Sequence, residues 1–252
     1  MNRNSIRATL SGLLNRLLYP LGLCLARRQP VGTGWTMDDL LYRYASRHPV
    51  PRVVVDLGAA AGCWSRMARK HFPASSFLLV DPLSEREPAL QETARRLGRS
   101  FVAMAAAGEV DGGEVMLSVT DNLDGSTVDS GKDMKARRVP CRTVDSLVQE
   151  HGLEGPFFLK FDTHGFELPI LQGCSETLRQ TAAILMEVYN YDITDTCLRF
   201  PSMCQHLEML GFRCLDLADP MQRDFDQSLW QMDMLFVRKD SPAFYHNHFR
   251  GP

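Results

Sequence analysis

One stretch, from Val53 to Gly62, constrains the fold more than any other part of the sequence. Three consecutive valines and Asp56 lead into a run of small residues. An apolar β-branched run of this kind predicts a strand that is buried on both faces of a parallel sheet. The small residues that follow let a ligand approach the backbone, and a helix is expected from about Cys63 to His71. The stretch therefore predicts a binding site at the carboxyl edge of the sheet.

The composition is that of an ordinary soluble globular protein. Of the 252 residues, 44% are hydrophobic and 23% are charged, and the net charge of −2 predicts no nucleic-acid partner. Seven cysteines, odd in number and without any C-x-x-C spacing, argue against a disulfide framework or a zinc site. We therefore expect a cytoplasmic protein whose cysteines are reduced.

The N-terminal segment differs from the rest, because residues 1–37 contain five arginines and no acid. Its leucines recur at helical spacing and predict a basic amphipathic helix that Pro20 ends or kinks. Such a helix would contact an anionic membrane surface through residues 1–30, or cover an apolar patch of its own domain or of a partner subunit. No transmembrane helix or signal peptide is expected, since Asn15 and Arg16 interrupt the apolar run.

Predicted strands and helices alternate along the remaining chain. The strands are predicted at residues 52–57, 76–81, 100–105, 114–120, 138–142, 157–162, 183–188, 212–217 and 233–237. The helices are predicted at residues 36–47, 63–70, 88–97, 143–150, 166–178 and 203–210. Pro140 has no N–H to donate, so its strand is expected at a sheet edge. The pattern predicts an α/β fold, a doubly wound, mostly parallel Rossmann-like sheet with helices on both faces and a C-terminal antiparallel hairpin. Its expected divisions are an extension (1–48), a main domain (49–240) and a tail (241–252).

Acids lie at the ends of four of the predicted strands, at Asp56, Asp81, Asp162 and Glu187. The position of Asp81 matches the acid that binds ribose hydroxyls in dinucleotide-binding folds. Asp162 and Glu187 should meet at one sheet edge, where two carboxylates could hold a divalent cation. The favoured expectation is that no metal is required and that Glu187 hydrogen-bonds a loop backbone. His164 is a candidate base, since it titrates near neutral pH; the alternative is a solvated turn residue.

Several motifs in the second half resemble, in their order, those of FkbM-type class I S-adenosylmethionine-dependent methyltransferases. The resemblance extends over about residues 50–238, and its motifs lie at residues 143–147, 158–167, 171–173, 184–187 and 229–233. It implies the class I methyltransferase fold, S-adenosylmethionine as cofactor, and O-methylation of a hydroxyl. The acceptor it implies is a small molecule or glycan, either a sugar of a polysaccharide or glycolipid or a polyketide-like secondary metabolite.

The resemblance also implies roles for individual residues. The cofactor turn would be shaped by Asp56, Gly58 and Gly62, with Ala60 between them; the ribose diol would be held by Asp81 beside Pro82; and the adenine would be flanked by Phe101 to Ala107. Asp162 and His164 are assigned from their own position, where the fourth strand of the main sheet meets the cofactor edge: both are catalytic candidates, and Asp162 is a cofactor-binding candidate as well.

Two residues depart from the family pattern. Many class I members have glycine where this chain has Ala60, and the family often has Glu or Gln where His164 stands. Tyr189, Tyr191 and Asp192 follow the fifth strand of the main sheet, where aromatic faces and polar tips suit a sugar acceptor. An ordinary aromatic cluster on a loop is the alternative for these three.

Two other functions remain open from the sequence. A nicotinamide-dependent oxidoreductase would use a similar strand-turn-helix unit, but the first turn lacks the G-x-G-x-x-G spacing. A catalytically inactive scaffold protein would bind the cofactor without turnover.

Overall fold

A computed structural model describes residues 32–120, 123, 125–128 and 136–250. The predicted basic amphipathic helix and its membrane contact lie outside these residues. Among the helices in the described ranges, none has both the length and the apolar character that spanning a bilayer requires.

Helices cover both faces of a large sheet. They are α1 (Met37–Arg47), α2 (Cys63–His71), α3 (Glu87–Leu97), α4 (Val144–Glu150), α5 (Glu167–Gln172), α6 (Ser175–Arg179) and α7 (Phe200–Met209), with a 3₁₀ turn at Pro242–Phe244. The strands are β1 (Val53–Leu57), β2 (Ser76–Val80), β3 (Ser100–Ala103), β4 (Ala106–Ala107), β5 (Gly113–Ser118), β6 (Thr127–Val128), β7 (Ala136–Arg142), β8 (Phe157–Phe161), β9 (Thr181–Tyr189), β10 (Phe212–Gln222) and β11 (Leu229–Arg238).

The large sheet has seven strands in the order β10-β11-β9-β8-β1-β2-β3. Neighbouring strands are parallel except β11, which runs antiparallel to both β9 and β10. This order confirms the predicted doubly wound sheet with a C-terminal antiparallel hairpin. A second sheet, in the order β4-β7-β5-β6, lies beyond β3 in the chain.

The central strand β1 is buried on both faces, as its valines predict. Val53 and Val55 pack into one apolar layer, whereas Val54 packs into the layer on the opposite face. The pairing register places Asp56 of β1 directly beside Lys160 of β8. Since neighbouring residues of parallel strands point to the same face, two charged side chains meet inside a largely apolar sheet.

Helix α1 belongs to the compact unit that begins at Trp35. The Thr36 side chain caps its N-terminus by accepting a hydrogen bond from the N–H of Asp39. Its buried face includes Leu40 and Tyr44, and the Tyr44 ring lies edge-on to the Phe158 ring of β8. The domain boundaries predicted from the sequence placed this helix in the N-terminal extension (1–48). The boundaries between extension, main domain and tail stay a prediction.

The helix predicted over residues 166–178 is in fact two helices, α5 and α6. The chain turns at Gly173, where an added Cβ would lie only 2.0 Å from the carbonyl oxygen of Gly108. Asp145 then caps α6, since its carboxylate accepts hydrogen bonds from the N–H groups of Glu176 and Thr177. Tertiary contacts from distant segments therefore break a stretch whose local pattern favours one helix.

The predicted edge position of the Pro140 strand is wrong, because β7 lies between β4 and β5. Strand β4 pairs only with Cys141 and Arg142, so its ladder does not reach Pro140. Strands β4 and β6 have two residues each, too few to produce a readable alternation, and the sequence did not predict them. Strand β3 ends at Ala103 rather than at residue 105, and β10 and β11 are longer than predicted.

Candidate active site

A cavity of about 300 Å³ lies where the carboxyl ends of β1, β2, β8 and β9 meet. Most of the predicted site residues line it: Gly58, Ala60, Asp81, Pro82, Asp162 and His164. Glu187 also lines the cavity, whereas Asp56 and Gly62 lie outside the lining. The strand ends therefore bring together residues that are more than 100 positions apart in the chain.

The turn after β1 is built around left-handed backbone conformations. Gly58 has a φ of +75°, and an added Cβ would lie 1.9 Å from the carbonyl oxygen of Asp162. Ala60 also has a positive φ, of +47°, in a region where a side chain costs roughly 1–2 kcal/mol. The glycine that is common at this position would avoid that cost, so Ala60 keeps a glycine-like turn at the expense of some strain.

Asp81 joins this turn to the end of β2. Its carboxylate accepts hydrogen bonds from the N–H of Ala60 at 2.8 Å and from the N–H of Leu83 at 2.9 Å. Burial raises the pKa of Asp81, and the two N–H bonds oppose that effect. Because each carboxylate oxygen has two lone pairs, both oxygens can accept a further hydrogen bond from a hydroxyl in the cavity.

Asp56 lies beneath the cavity instead of in its wall. It is fully buried, and it accepts a hydrogen bond of 2.6 Å from the Ser65 hydroxyl of α2. Burial raises the pKa of Asp56, although Lys160 and the Ser65 hydroxyl oppose the effect. Gly62 begins α2 at a φ of +72°, and an added Cβ there would lie 2.5 Å from Thr93. Asp56 and Gly62 therefore support the turn without lining the cavity.

The segment predicted to flank the adenine reaches the cavity only in part. Ala105, Ala106 and Ala107 line it, whereas Phe101 lies outside the lining and stacks on the His151 ring with centroids 4.5 Å apart. The three alanines provide a small apolar wall next to Asp81 and Pro82.

Lys160 and Asp162 form an ion pair at the carboxyl end of β8, where Asp162 lines the cavity. The Lys160 ammonium lies 2.7 Å from Asp162 Oδ2 and 3.6 Å from Asp56 Oδ1, and its side chain is 5% exposed. Burial alone would lower the pKa of Lys160, but the carboxylates of Asp162 and Asp56 raise it overall. Burial would raise the pKa of Asp162, but Lys160 and then His164 lower it overall, so both groups of the pair are charged at neutral pH.

His164 faces three polar side chains. Its Nδ1 lies 2.8 Å from the Tyr189 hydroxyl and 3.2 Å from Glu187 Oε2, and its Nε2 lies 3.8 Å from Asp162 Oδ1. Its backbone is left-handed, with a φ of +50°, and its carbonyl accepts a hydrogen bond from Thr127 of β6. Burial would lower the pKa of His164, but Glu187 and the other nearby carboxylates raise it overall.

Glu187 holds the His164 side of the cavity in place. Its carboxylate accepts hydrogen bonds from the Tyr189 hydroxyl and from the Gln231 amide of β11. Burial, and after it the charge of Glu187, raises the pKa of Tyr189, so its hydroxyl stays protonated and donates. The donor atoms of Asp162, His164 and Glu187 all lie within 4.8 Å of one another, a spacing that a cation could span.

The other residues predicted to bind an acceptor lie away from this cluster. The Tyr191 hydroxyl lies 2.7 Å from the Ser228 hydroxyl, and the Tyr191 ring stacks on Trp230. Asp192 pairs with Arg199 at 3.3 Å. Neither Tyr191 nor Asp192 lines the cavity.

Sequence reasoning missed the importance of Lys160 and of Gln231. One signal for Lys160 was available, since it is a charged residue in the middle of the otherwise apolar run Phe157–Phe161. The role of Gln231 could not be read from the sequence, because it depends on the pairing of β11 with β9, which places Gln231 beside Tyr189.

Comparisons with solved structures show low sequence identity. The FkbM methyltransferase from Methylobacillus flagellatus KT is 16% identical with a TM-score of 0.48, covering 74% of this chain and 43% of that one. The 1,6-didemethyltoxoflavin-N1-methyltransferase from Burkholderia thailandensis, solved with 1,6-didemethyltoxoflavin and S-adenosylhomocysteine, is 14% identical with a TM-score of 0.44, covering 95% and 92%. The magnesium protoporphyrin IX methyltransferase from Synechocystis PCC 6803, solved with bound S-adenosylmethionine, is 11% identical with a TM-score of 0.42, covering 73% and 69%.

The chain thus spans less than half the length of the FkbM structure that it resembles. A search of the curated proteins found no match. The profile of the family described as Methyltransferase FkbM domain matches residues 56–214, which is more than half of the chain. This match confirms the resemblance seen in the sequence motifs, and the strand order is that of the class I methyltransferase fold. The chain belongs to the FkbM methyltransferase family.

Proposed function

We propose that the protein is an S-adenosylmethionine-dependent O-methyltransferase that acts on a hydroxyl of a sugar, in a polysaccharide or glycolipid, or of a polyketide-like secondary metabolite. One observation carries the proposal. A single cavity is lined by the Gly58 turn and Asp81 and also by His164 with its carboxylate partners Asp162 and Glu187. A cofactor and an acceptor hydroxyl would therefore meet beside a titratable base.

The residues present fit the cofactor. The Gly58 turn leaves no room for a side chain, and the buried Asp81 carboxylate faces the cavity with acceptor capacity for ribose hydroxyls. Pro82 and the three alanines at residues 105–107 would contact the apolar part of the ligand. Bound S-adenosylmethionine supplies an activated methyl group, so the protein has mainly to orient the acceptor oxygen. A cavity of about 300 Å³ is within the range of small-molecule sites.

His164 is our candidate for the base that accepts the hydroxyl proton. The contacts of Nδ1 with Tyr189 and Glu187 fix the ring, and the side chain is 29% exposed, so it remains accessible from the cavity. Because the nearby carboxylates raise the pKa of His164 above its usual value, the neutral imidazole predominates only above that raised pKa. We therefore expect the rate of methyl transfer to increase with pH, with a midpoint above about 6.5.

A divalent cation is not part of this proposal. Glu187 already accepts hydrogen bonds from Tyr189 and Gln231, and one oxygen of Asp162 is bound by Lys160. The Lys160 ammonium supplies positive charge where a cation would. We expect millimolar Mg²⁺ or Mn²⁺ to leave the thermal midpoint of the EDTA-treated protein unchanged. A clear stabilisation by either ion would instead assign this cluster as a metal site.

The test is transfer of a labelled methyl group from S-adenosylmethionine to a panel of sugar and polyketide hydroxyl acceptors, with amine acceptors assayed in parallel. The matched variant is His164→Asn, because asparagine tolerates a left-handed backbone. We expect transfer to hydroxyls only, and its loss in the variant while cofactor binding persists. Transfer only to amines would refute O-methylation. Cofactor binding without any transfer would favour the scaffold, and reduction of a nicotinamide nucleotide would favour the oxidoreductase.

Mass spectrometry of glycans from cells with and without the protein would identify the acceptor through a lost methyl group. The cytoplasmic location, the membrane contact through residues 1–30 and the lack of a nucleic-acid partner stay predictions from the sequence.

A further inference from the structure

Lys160 lies beneath the proposed reacting end of the cavity. It has no role so far in the proposed methyl transfer. It is the fourth of the five residues of β8 and is buried. Its ammonium lies between the carboxylates of Asp56 and Asp162 and 5.7 Å from the centroid of the Trp64 ring. The β1 and β8 register fixes this arrangement, because it pairs Lys160 with Asp56.

Asp162 is shared between this lysine and His164. One carboxylate oxygen lies 2.7 Å from the Lys160 ammonium, which is the distance of a charge-assisted hydrogen bond. The other oxygen lies 3.8 Å from His164 Nε2, which is too long for a hydrogen bond. The geometry therefore shows a carboxylate that is hydrogen-bonded to the lysine and lies at ion-pair distance from the imidazole without a hydrogen bond to it.

His164 is otherwise surrounded by acids. Glu187 of β9 lies 3.2 Å from Nδ1, and Glu167 of α5 is buried close by, where it accepts a hydrogen bond from the N–H of Gly165. The Tyr189 hydroxyl also faces the ring. A third fully available carboxylate would favour the protonated imidazole, which cannot accept a proton from an acceptor hydroxyl.

We propose that Lys160 is a positioning residue for His164: by binding one oxygen of the Asp162 carboxylate, it offsets that negative charge and holds the carboxylate beyond hydrogen-bond distance of the imidazole. The inference rests on the proposed function, in which His164 is the base. Without Lys160, we expect Asp162 to hydrogen-bond His164 Nε2, which favours the protonated imidazole.

The test is an NMR titration of the His164 ring nitrogens in the full chain, without cofactor or acceptor. The protein has seven histidines, so the His164 signal is assigned by its loss in His164→Asn. Lys160→Met removes the ammonium but leaves Asp56 buried and unpaired, which endangers folding. A second variant, Asp56→Asn with Lys160→Met, removes that charge too, and the asparagine oxygen can still accept from Ser65.

In both Lys160 variants we expect the His164 titration midpoint to rise by roughly one pH unit, since a neighbouring positive charge is lost and Asp162 is released. The thermal midpoint should fall in Lys160→Met and recover in the double variant. Lys70→Met, which removes an exposed lysine of α2, should leave the His164 midpoint unchanged. An unchanged midpoint in the double variant would overturn the proposal, because Lys160 would then only balance buried charge.

Asp162→Asn gives an independent reading if the lysine variants do not fold, because its side chain is 35% exposed. If Asp162 acts on His164 only as a charge 3.8 Å away, removing that charge should lower the His164 midpoint by no more than about one unit. A fall of about two units or more would show that Asp162 already hydrogen-bonds the imidazole, and would also overturn the proposal. Both NMR results can be told apart from a failure of the proposed function, because the proposed function fails if the wild type binds no cofactor.

Discussion

The contact between the Gly58 turn and Asp162 predicts a large difference between two glycine substitutions. Gly58 and Gly112 share a φ of +75°, but an added Cβ would lie 1.9 Å from the Asp162 carbonyl oxygen at Gly58 and would meet nothing within 4 Å at Gly112. Gly112→Ala should therefore cost only the left-handed strain, roughly 1–2 kcal/mol of unfolding free energy. Gly58→Ala adds a collision with the backbone, for which about 1–3 kcal/mol more is expected.

The assay is urea unfolding of the wild type and both variants, followed by fluorescence of the three tryptophans. Gly58→Ala should have the lower midpoint at an unchanged slope, and it should also weaken cofactor binding, because the 162–164 turn has to move. Gly112→Ala should bind cofactor like the wild type. Equal loss of stability in the two variants would refute the reasoning, since it would show that Gly58 and Asp162 are not in contact.

Two further predictions concern stability. The Asp145 carboxylate accepts hydrogen bonds from the backbone at the start of α6 and from the Thr177 hydroxyl, so Asp145→Ala should lower the unfolding free energy, measured with urea, by about 1–2 kcal/mol. The control is Asp240→Ala, which removes an exposed acid. Equal effects of the two substitutions would contradict the capping role. Burial, and after it the charge of Glu187, raises the pKa of Asp233 to about 7. The native state thus keeps a proton that the unfolded state loses near pH 4, and stability falls between about pH 4 and 7. Asp233→Asn should therefore stabilise by on the order of 4 kcal/mol more at pH 8 than at pH 4, and a gain independent of pH would contradict this.

The sequence predicted the binding end of the molecule well because its signals are local. The valine run and the glycines at residues 58 and 62 fix a strand and a turn within ten positions. The meeting of Asp162 with Glu187 was predictable too, since the carboxyl ends of parallel strands lie at the same sheet edge. These features need no knowledge of register or of side-chain direction.

The features that were missed depend on long-range pairing. Lys160 matters because the register places it beside Asp56, and Gln231 reaches Glu187 only through the antiparallel pairing of β11. The break between α5 and α6 arises at Gly173, which lies against Gly108 from a distant segment. Local patterns contain no information on such contacts.

Calorimetry with S-adenosylhomocysteine tests the central claim most directly. We expect the wild type to bind it with measurable heat, and Asp81→Ala to bind at least about tenfold more weakly, because hydrogen bonds to a charged group are lost. Asp111→Ala, which removes a half-exposed acid outside the cavity, should bind like the wild type. No heat for the wild type, or undiminished binding by Asp81→Ala, would contradict the assignment of this cavity to the methyl donor.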